Sequence, residues 1–271
     1  MKKIIVSIII PSFNTKEVTL RCIKTIVENT EISYEVILVD NASTDGTVEA
    51  VKLLKIENCK LKIFCNSKNM GFARAVNQGI KIAKGEYVLL LNSDVFVKKG
   101  SIEKMVEFAQ KTSGCGVVGG KLVFGSGEIQ YSVMVFPTLW QTICKYWFGK
   151  NDPVLPREVA VVDAVVGAAF LVSPKAKDIV GLMDERYFMY FEDLDYCRRV
   201  KRAGLATYYL PDAEFTHLHG ESGKNLAGAS DQWRRLIPSS QIYHGRFKHY
   251  LITLVIWTSQ KVRKLFGLSV S

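Results

Sequence analysis

The sequence predicts an α/β fold with a mostly parallel central sheet and helices on both of its faces. Two apolar runs, at residues 6–10 and 35–39, do not alternate with polar residues, as expected of strands that helices cover on both sides. Segments with the helical period of 3.6 residues separate such runs. Polar side chains follow the runs at their ends. Strands and helices alternating over residues 1–95 predict a parallel sheet that binds ligands at the carboxyl ends of its strands.

The first half of the chain repeats this unit. The first helix follows Asn14 or Thr15, either of which can cap it, and its apolar positions recur at the helical period: Val18, Cys22, Ile23, Ile26 and Val27. We then predict a helix over 48–54, a strand over 61–65, a helix over 71–83 and a strand over 86–91.

The second half is less regular. A helix is predicted over 101–110, but the pattern loosens through 114–127 and an aromatic stretch over 136–147, where we expect loops that face an acceptor. A strand-like run over 161–173 contains Gly167. The remaining elements are a helix after Pro174, a helix over 192–203, and short strands over 206–210 and 214–217.

A basic segment follows the predicted catalytic domain at 1–229. From Asp231 onward the chain has seven Lys or Arg residues and a single acidic one. Its apolar core at 250–257 is shorter than the roughly 20 residues that cross a bilayer, so we predict an interfacial helix within an extension at 230–271. The alternative is a helix that packs on the domain itself or on a homodimer partner.

The net charge and the cysteine content indicate which partners and which cellular compartment to expect. The formal net charge of +10 suits a polyanionic partner, but no nucleic-acid-binding motif accompanies it, so we expect none. Six cysteines without CxxC pairs indicate a reducing cytosol. The lysines and apolar run at the start precede no small-residue cleavage site, so we interpret them as leading into a buried strand rather than as a signal peptide.

Three polar groups come directly after predicted strands: Asn14, Asp40 with Asn41, and Asn92 with Asp94. Each could be a turn former, but three in register favour a binding site. The Asp40 carboxylate can accept a hydrogen bond from a base-ring N–H or a ribose hydroxyl; its local alternative is an Asx turn.

The segment Asn92-Ser93-Asp94 offers oxygen ligands for Mg²⁺ or Mn²⁺ beside a diphosphate. His217, in the run HLHGES, could complete such a site. Without Asp94, a structural histidine would be the simpler interpretation.

An acidic cluster opens the helix predicted at 192–203. Glu192, Asp193 and Asp195 could simply complement the helix dipole there. Aromatic residues directly before them, including Tyr190, favour a sugar pocket in which burial raises the pKa of a carboxyl towards that of a useful base. Arg198 and Arg199 are expected to pair with the other acids.

Seven motifs in order carry a family resemblance: SIIIPSFN, VILVDNASTDGT, NMGFARAVNQG, LLLNSD, VGAAFLV, MYFEDLDYCRR and HLHGES. Together, over residues 4–225, they resemble glycosyltransferase family 2, the inverting enzymes of GT-A fold, and its rhamnosyltransferase-like branch. The resemblance implies that Asp40 contacts the nucleobase, Asp94 is the metal-binding end of the DxD motif, and Asp193 is the catalytic aspartate of the ED motif. His217 would have a metal or diphosphate role.

The resemblance and the local sequence together predict the rest of the site. Further donor-binding residues are expected at Pro11, Asn14, Asn41, Asn69, Gly71, Arg74, Asn77, Asn92 and Ser93, and the acceptor or sugar pocket at Gly167, Ala168, Tyr190 and Glu192. The chain departs from the family at Asn92, where DxD begins with aspartate. The Gly- and Ser-rich segment after His217 is expected to order over the donor diphosphate, with Lys224 as a phosphate contact.

These observations predict a metal-dependent inverting glycosyltransferase of cell-surface polysaccharide biosynthesis. Its donor would be a dTDP- or UDP-sugar, with rhamnose a candidate sugar, and its acceptor a glycan or polyprenyl-diphosphate-linked glycan at the cytoplasmic face of an anionic membrane. A nucleotidyltransferase is the first alternative, but it needs a Lys- and Gly-rich phosphate loop after the first strand, and PSFNTKEVT is not one. The second is a non-catalytic nucleotide-sugar-binding membrane module, against which the acid at Asp193 argues.

Overall fold

A computed structural model describes residues 3–54, 56, 59–149, 154–218 and 232–265. Its strands are β1 (Val6–Ser12), β2 (Tyr34–Asp40), β3 (Lys60–Cys65), β4 (Tyr87–Leu91), β5 (Val95–Val97), β6 (Cys115–Val123), β7 (Ile129–Gln130), β8 (Val133–Met134), β9 (Ala160–Val162), β10 (Ala164–Val165), β11 (Ala169–Val172) and β12 (Ala206–His217). Its helices are α1 (Lys16–Asn29), α2 (Thr47–Lys52), α3 (Phe72–Ile82), α4 (Ser101–Lys111), α5 (Leu139–Phe148), α6 (Pro174–Ile179), α7 (Glu192–Arg202), α8 (Gln232–His244) and α9 (Arg246–Leu265).

The central sheet has the strand order β3-β2-β1-β4-β11-β6-β12-β5. The four strands from β3 to β4 are parallel, as the sequence predicts. Beyond them the sheet is mixed, because β11 runs antiparallel to both neighbours and β5 runs antiparallel to β12. The carboxyl ends of β1, β2 and β4 therefore meet at one edge of the sheet.

The core lies on both faces of this sheet, which makes three layers. Successive residues of β1 point to opposite faces: Ile8 and Ile10 pack with α1 and α4, whereas Ile9 packs with α3 and the layer that includes α7. Gly79 allows α3 to lie close to the sheet, because a Cβ there would come within 2.5 Å of Ile9 Cγ2. All residues of β1, β2 and β4 are buried, which explains why their sequences do not alternate.

The expectation of loops over 114–127 and 136–147 is wrong. Residues 115–123 form β6, a strand inside the sheet, and residues 139–148 form α5. The glycines of β6 resemble a loop signal, but Gly119 serves packing: a Cβ there would lie 2.4 Å from Val165 Cβ. The helix α5 begins with a capping box in which Thr138 and Gln141 bond reciprocally.

Two further differences concern strands. The two strands predicted over 206–217 are the single strand β12, whose pairing with β6 shifts register between Leu210 and Glu214. The strand-like run at 161–173 is divided among β9, β10 and β11.

The C-terminal segment is helical, as predicted, and α9 packs on α5. Ser259 Oγ donates to the Tyr146 carbonyl at 2.6 Å, and Arg263 Nη2 donates to the same oxygen at 3.2 Å. Among the described residues, no helix has the length and apolar character needed to cross a membrane. The predicted domain boundary at 229/230 lies outside the described residues.

Candidate functional site

Asp40 lies where the carboxyl ends of β1 and β2 meet, and the space outside these strand ends is here called the cleft. Its side chain is 2% exposed and accepts hydrogen bonds from Ser12 Oγ at 3.1 Å, from Ser43 Oγ at 2.5 Å and from Ser43 N at 2.8 Å. Asn14, at a φ of +50°, lies opposite and accepts from Thr44 N at 2.7 Å. The turn alternative for Asp40 is therefore present, and it fixes the carboxylate at the carboxyl ends of β1 and β2.

The loop between β3 and α3 closes this cleft from one side. Asn41 Nδ2 donates to the Gly71 carbonyl at 3.3 Å, and Asn69 Oδ1 accepts from Gly71 N at 2.9 Å. Gly71 adopts a φ of +84°, and a Cβ there would lie 2.5 Å from the Phe188 carbonyl oxygen. That carbonyl accepts from Phe72 N at 2.7 Å, so the loop is attached to the segment preceding α7.

The turn after β4 and the end of β12 bring Asp94 and His217 together. Asp94 Oδ1 lies 3.5 Å from His217 Nε2, and the two residues are 1% and 5% exposed. His217 Nδ1 donates to Gln130 Oε1 at 2.9 Å, which turns Nε2 towards Asp94. Beside them, Ser93 is buried with its Oγ 3.2 Å from Thr15 Oγ1, and Asn92 is partly exposed.

Asp193 lies at the start of α7 and is a partly exposed residue. Its Oδ2 accepts from Gly167 N at 3.0 Å and its Oδ1 from Leu194 N at 2.8 Å. Burial raises the pKa of the Asp193 carboxyl above its usual range, against the lowering effect of these N–H donors. The result is an anchored carboxylate that is a stronger base than a surface aspartate.

Glu192 is the more buried member of the adjacent pair, at 7% exposure. Burial raises the pKa of its carboxyl, and the charge of Asp193 raises it further. Its Oε2 has no hydrogen-bond donor among the described residues, whereas both Asp193 oxygens accept from backbone N–H groups. A proton held by the pair therefore resides on Glu192, and Asp193 carries the negative charge.

A single dipeptide, Gly167-Ala168, connects the two sides of the site. Gly167 N donates to Asp193, and the Ala168 carbonyl accepts from Asn92 N at 3.0 Å. The segment that carries Asp94 and the helix that carries Asp193 are thus held to neighbouring peptide groups.

The backbone before α7 is strained. Tyr190 and Phe191 both have a φ of +70°, a region that costs a non-glycine residue of order 1 kcal/mol or more. Helix α8 holds this segment: Ser239 Oγ donates to the Met189 carbonyl at 2.8 Å, and the Phe191 ring lies 5.3 Å from that of Tyr243. Such strain is common at functional sites.

Comparisons with known proteins agree with this geometry. The family model for glycosyl transferase family 2 matches residues 7–164, more than half of the chain.

The chain belongs to glycosyltransferase family 2.

Among curated proteins, this family 2 glycosyltransferase is 31% identical over 210 residues to the N-acetylglucosaminyl-diphospho-decaprenol L-rhamnosyltransferase of Mycobacterium tuberculosis, covering 69% of this chain and 67% of that protein. It is 31% identical over 115 residues to glycosyltransferase GlyG of Streptococcus pneumoniae, covering 42% of this chain and only 38% of GlyG. The predicted family and its rhamnosyltransferase-like branch are confirmed.

Among solved structures, mannosyltransferase PcManGT from Pyrobaculum calidifontis, in complex with GDP-Man and Mn²⁺, matches with a TM-score of 0.66 at 17% identity. The match covers 100% of this chain and 77% of that one. The predicted GT-A fold is therefore confirmed, and family membership removes the nucleotidyltransferase alternative.

The residues of the family 2 glycosyltransferase fit a divalent cation only in part. Asp94 and His217 offer one oxygen and one nitrogen on the same side of the cleft, and Gln130 fixes the imidazole as an orienting acceptor does at metal sites. No group of three or more His, Cys, Asp or Glu residues able to hold a metal occurs in the described part of the chain. A cation here would need further ligands from a diphosphate and water.

Asn77 departs from its expected role as a donor contact. It is fully buried, donates from Nδ2 to the Met183 carbonyl at 2.8 Å and to Glu185 Oε1 at 3.1 Å, and accepts from Met183 N at 2.9 Å. Because these bonds use both ends of the amide, Asn77 holds the 183–185 segment against α3 and does not face a ligand.

Other expected residues occupy the cleft margin. Arg74 is exposed, 3.5 Å from Glu185, beside a pocket of about 370 Å³ that Asn69 also lines. Pro11 is buried in β1 opposite Val39. Lys224 and the segment expected to cover the diphosphate lie outside the described residues.

Sequence reasoning missed Gln130. It lies in a two-residue strand within a segment without helix or strand periodicity, and no local signal connects it to His217, 87 residues away. The predicted pairing of Arg198 and Arg199 with the other acids is confirmed for Asp195, which lies 2.9 Å from Arg198 Nη2 and 2.8 Å from Arg199 Nε. Within the residues that the structure describes, neither arginine forms an ion pair with Glu192.

Proposed function

We propose that this protein is an inverting glycosyltransferase that moves a sugar from a nucleoside diphosphate donor to a hydroxyl of its acceptor, with Asp193 as the general base. The observation that carries the proposal is the anchored carboxylate of Asp193, a partly exposed residue held by Gly167 beside the segment that bears Asp94. Each of its oxygens accepts one backbone N–H and keeps lone-pair capacity for an acceptor hydroxyl.

The chain's residues divide the reaction between two sides. Asp193 takes the proton of the acceptor hydroxyl, whose oxygen attacks the anomeric carbon on the face opposite the nucleotide, so the anomeric configuration inverts. Glu192 stays protonated beside it, which leaves a single negative charge at the acceptor side. A positioned base of this kind contributes about 10²–10⁴-fold to the rate.

On the donor side, Asp40 and Asn14 would bind the nucleoside, and Asp94 and His217 would hold Mg²⁺ or Mn²⁺ together with the diphosphate. Such a cation would supply positive charge against the leaving diphosphate. Gln130 keeps the His217 ring in the orientation that this requires. The Mn²⁺ named for PcManGT supports the metal assignment.

The substrates follow from the relatives. The relative named N-acetylglucosaminyl-diphospho-decaprenol L-rhamnosyltransferase supports a lipid-linked acceptor and rhamnose as the transferred sugar for this chain. For the donor we propose a dTDP- or UDP-sugar. Such an acceptor would belong to cell-surface polysaccharide synthesis at the inner face of the membrane. Melting-temperature shifts with dTDP-rhamnose, UDP-hexoses and GDP-sugars in the presence of Mn²⁺ would identify the donor.

The test is the substitution Asp193→Asn, measured with the donor so identified. We expect donor affinity by calorimetry to stay near that of the wild type, because Asp193 is on the acceptor side, and the transfer rate to fall about 10²–10⁴-fold because the base is lost. Asp178→Asn, an exposed aspartate on α6, is the matched control and should transfer normally.

Three results would contradict the proposal. If Asp193→Asn transfers the sugar at the wild-type rate, Asp193 is not the base. If NMR shows a product with retained anomeric configuration, the reaction is not a single displacement. Donor binding without transfer to any acceptor by the wild type would favour a non-catalytic nucleotide-sugar-binding module.

A further inference from the structure

The exposed sides of α5 and α9 form one continuous surface, here called the α5–α9 face. Its members on α5 are Trp140, Trp147 and Phe148, and on α9 they are Phe247, Tyr250, Leu254, Trp257, Lys261 and Lys264. Among the residues that the structure describes, 10 of the 20 exposed large hydrophobic side chains lie on α5, α8 and α9. Scattered apolar residues are normal on a protein surface, but such a concentration marks an interaction site.

Helix α9 carries large apolar side chains on its exposed side. Its exposed stripe runs through Phe247, Tyr250 and Trp257, which are 79%, 61% and 55% exposed. Its buried residues are His249, Ile252 and Ser259. A surface helix in water usually turns its apolar stripe to the protein core and polar residues outward, so the exposed aromatic stripe favours an apolar surrounding.

The charge of these helical segments favours an anionic surrounding. In sequence, residues 139–149 and 232–265 contain eight Lys or Arg residues and no Asp or Glu. All four tryptophans of the chain fall in these segments. Tryptophan, tyrosine and basic residues together are typical of helices that lie in the interface of a membrane.

A groove between the two helices adds an apolar recess. It measures about 400 Å³ and is lined by Ile143, Trp147, Phe148, Leu254, Val255 and Thr258. Trp147 closes one side, and its Nε1 donates to the Val255 carbonyl at 3.3 Å. With its indole N–H bonded inside the protein, the ring presents carbon to the outside.

We propose that the α5–α9 face docks on a bilayer that contains anionic lipid, with both helices lying in the interface. The aromatic side chains enter the headgroup region, hydrocarbon chains fill the groove, and the lysines meet the lipid phosphates. The surface thus includes α5 and not only the C-terminal helix. This docking does not depend on the sugar-transfer chemistry, because it is measured without donor or acceptor.

The test uses the full chain with vesicles of phosphatidylcholine, with or without phosphatidylglycerol. Because every tryptophan lies in these segments, we expect a blue shift of intrinsic fluorescence and co-sedimentation with the anionic vesicles, and much weaker responses with the neutral ones.

The discriminating variant changes α5 alone, in the double substitution Trp140→Gln and Phe148→Gln. Both side chains are about 70% exposed, at 68% and 70%, so the fold should tolerate the change. Lost burial of two rings should weaken vesicle partition about tenfold. The matched control, Leu53→Gln with Val154→Gln, removes apolar side chains that are 81% and 89% exposed elsewhere and should bind as the wild type does.

Three outcomes would overturn the proposal. Equal binding to neutral and anionic vesicles would remove the charge argument. Wild-type binding by the α5 variant, with an unchanged melting temperature, would limit docking to the C-terminal helix. If light scattering without vesicles shows that the wild type is a dimer and the α5 variant a monomer, the face is an interface between two copies of the chain. Donor binding is measured separately, so that a failure of membrane docking can be distinguished from a failure of the proposed sugar transfer.

Discussion

Two adjacent carboxyls at the start of α7 differ in environment, and this difference assigns their protonation. Asp193 accepts two backbone N–H bonds, whereas the Oε2 atom of Glu192 is buried without a donor among the described residues. Burial raises the pKa of both groups, and the neighbouring charge adds to the effect on Glu192. Paired acids whose surroundings separate their pKa values are a common way to place one base at neutral pH.

Gln130 provides a residue-scale prediction. Gln130→Leu removes the acceptor for His217 Nδ1–H, so the ring loses its fixed orientation. Loss of such an orienting acceptor typically weakens metal affinity about 10–100-fold. We expect this loss for Mn²⁺ titrated in the presence of nucleoside diphosphate and followed by calorimetry.

The control for Gln130→Leu is Glu128→Leu, an exposed residue in the same connection, which should leave Mn²⁺ affinity unchanged. Equal affinities of the wild type and Gln130→Leu would show that His217 needs no support from Gln130, or that it does not hold the metal.

At the residue scale, sequence reasoning can identify residues whose role is indicated by their neighbours along the chain. Asp40, Asp94 and Asp193 each follow a recognisable strand or open a helix, and the structure places all three at the same edge of the sheet. Their proposed roles await the experiments above. Gln130 was missed and Asn77 was given the wrong role, because what each does depends on a partner 87 or 106 residues away.

At the scale of elements, α8 joins the active site to the C-terminal helices. Ser239 bonds the Met189 carbonyl, and Arg198 of α7 donates to the Tyr243 carbonyl at 3.3 Å while its guanidinium lies 3.9 Å from the Tyr243 ring centre. The strained Tyr190-Phe191 backbone is therefore held from outside the GT-A sheet. Removal of α8 would affect the catalytic segment as well as any membrane contact.

This junction contains a titrating histidine that yields an element-scale prediction. Burial lowers the pKa of His244 from 6.5 to about 4, and the charges of Lys248, His249 and Arg198 lower it further. Folding therefore favours the neutral ring, while the unfolded chain takes up a proton below pH 6.5. The stabilisation is complete above pH 6.5 and is lost as the pH falls to 4.

We expect the melting temperature of the wild type to fall as the pH is lowered from 6.5 to 4. The melting temperature of His244→Gln should fall less over the same interval, because glutamine cannot titrate. Differential scanning fluorimetry of the two proteins in parallel cancels the contribution of the other acids. Parallel curves would mean that His244 is protonated equally in the folded and unfolded chain.

Most elements followed from periodicity, and the exceptions have physical causes. Strands β1, β2 and β4 are apolar throughout because helices cover both faces. Strand β6 was missed because close packing against Val165 requires Gly119, and glycine in a sequence resembles a turn. Helix α5 was missed because its aromatic residues face outward and so disturb the amphipathic pattern.

At the scale of the whole molecule, the net charge of +10 is unevenly distributed. Eight of the 36 basic residues lie in residues 139–149 and 232–265, which have no acidic residue to offset them. An excess of this kind attracts anionic surfaces at long range and loses strength as salt screens it.

Vesicle binding should therefore depend on salt. Because the screening length shortens from about 10 Å at 0.1 M to about 3 Å at 1 M, co-sedimentation with phosphatidylglycerol vesicles should fall steeply over this range. Binding that remains at high salt measures the apolar contribution of the aromatic stripe. Salt-independent binding would mean that the basic residues take no part.

The Gly167-Ala168 dipeptide also limits how this enzyme could be re-engineered. Since two adjacent residues hold Asp193 and the Asn92 backbone, an insertion or deletion there would move the base relative to the donor side, and no side-chain replacement elsewhere would restore both bonds. Libraries that seek new acceptors should leave positions 167 and 168 alone and randomise side chains nearby such as the exposed Phe188 and the partly exposed Tyr190. Substrate range would then change while the reaction geometry is kept.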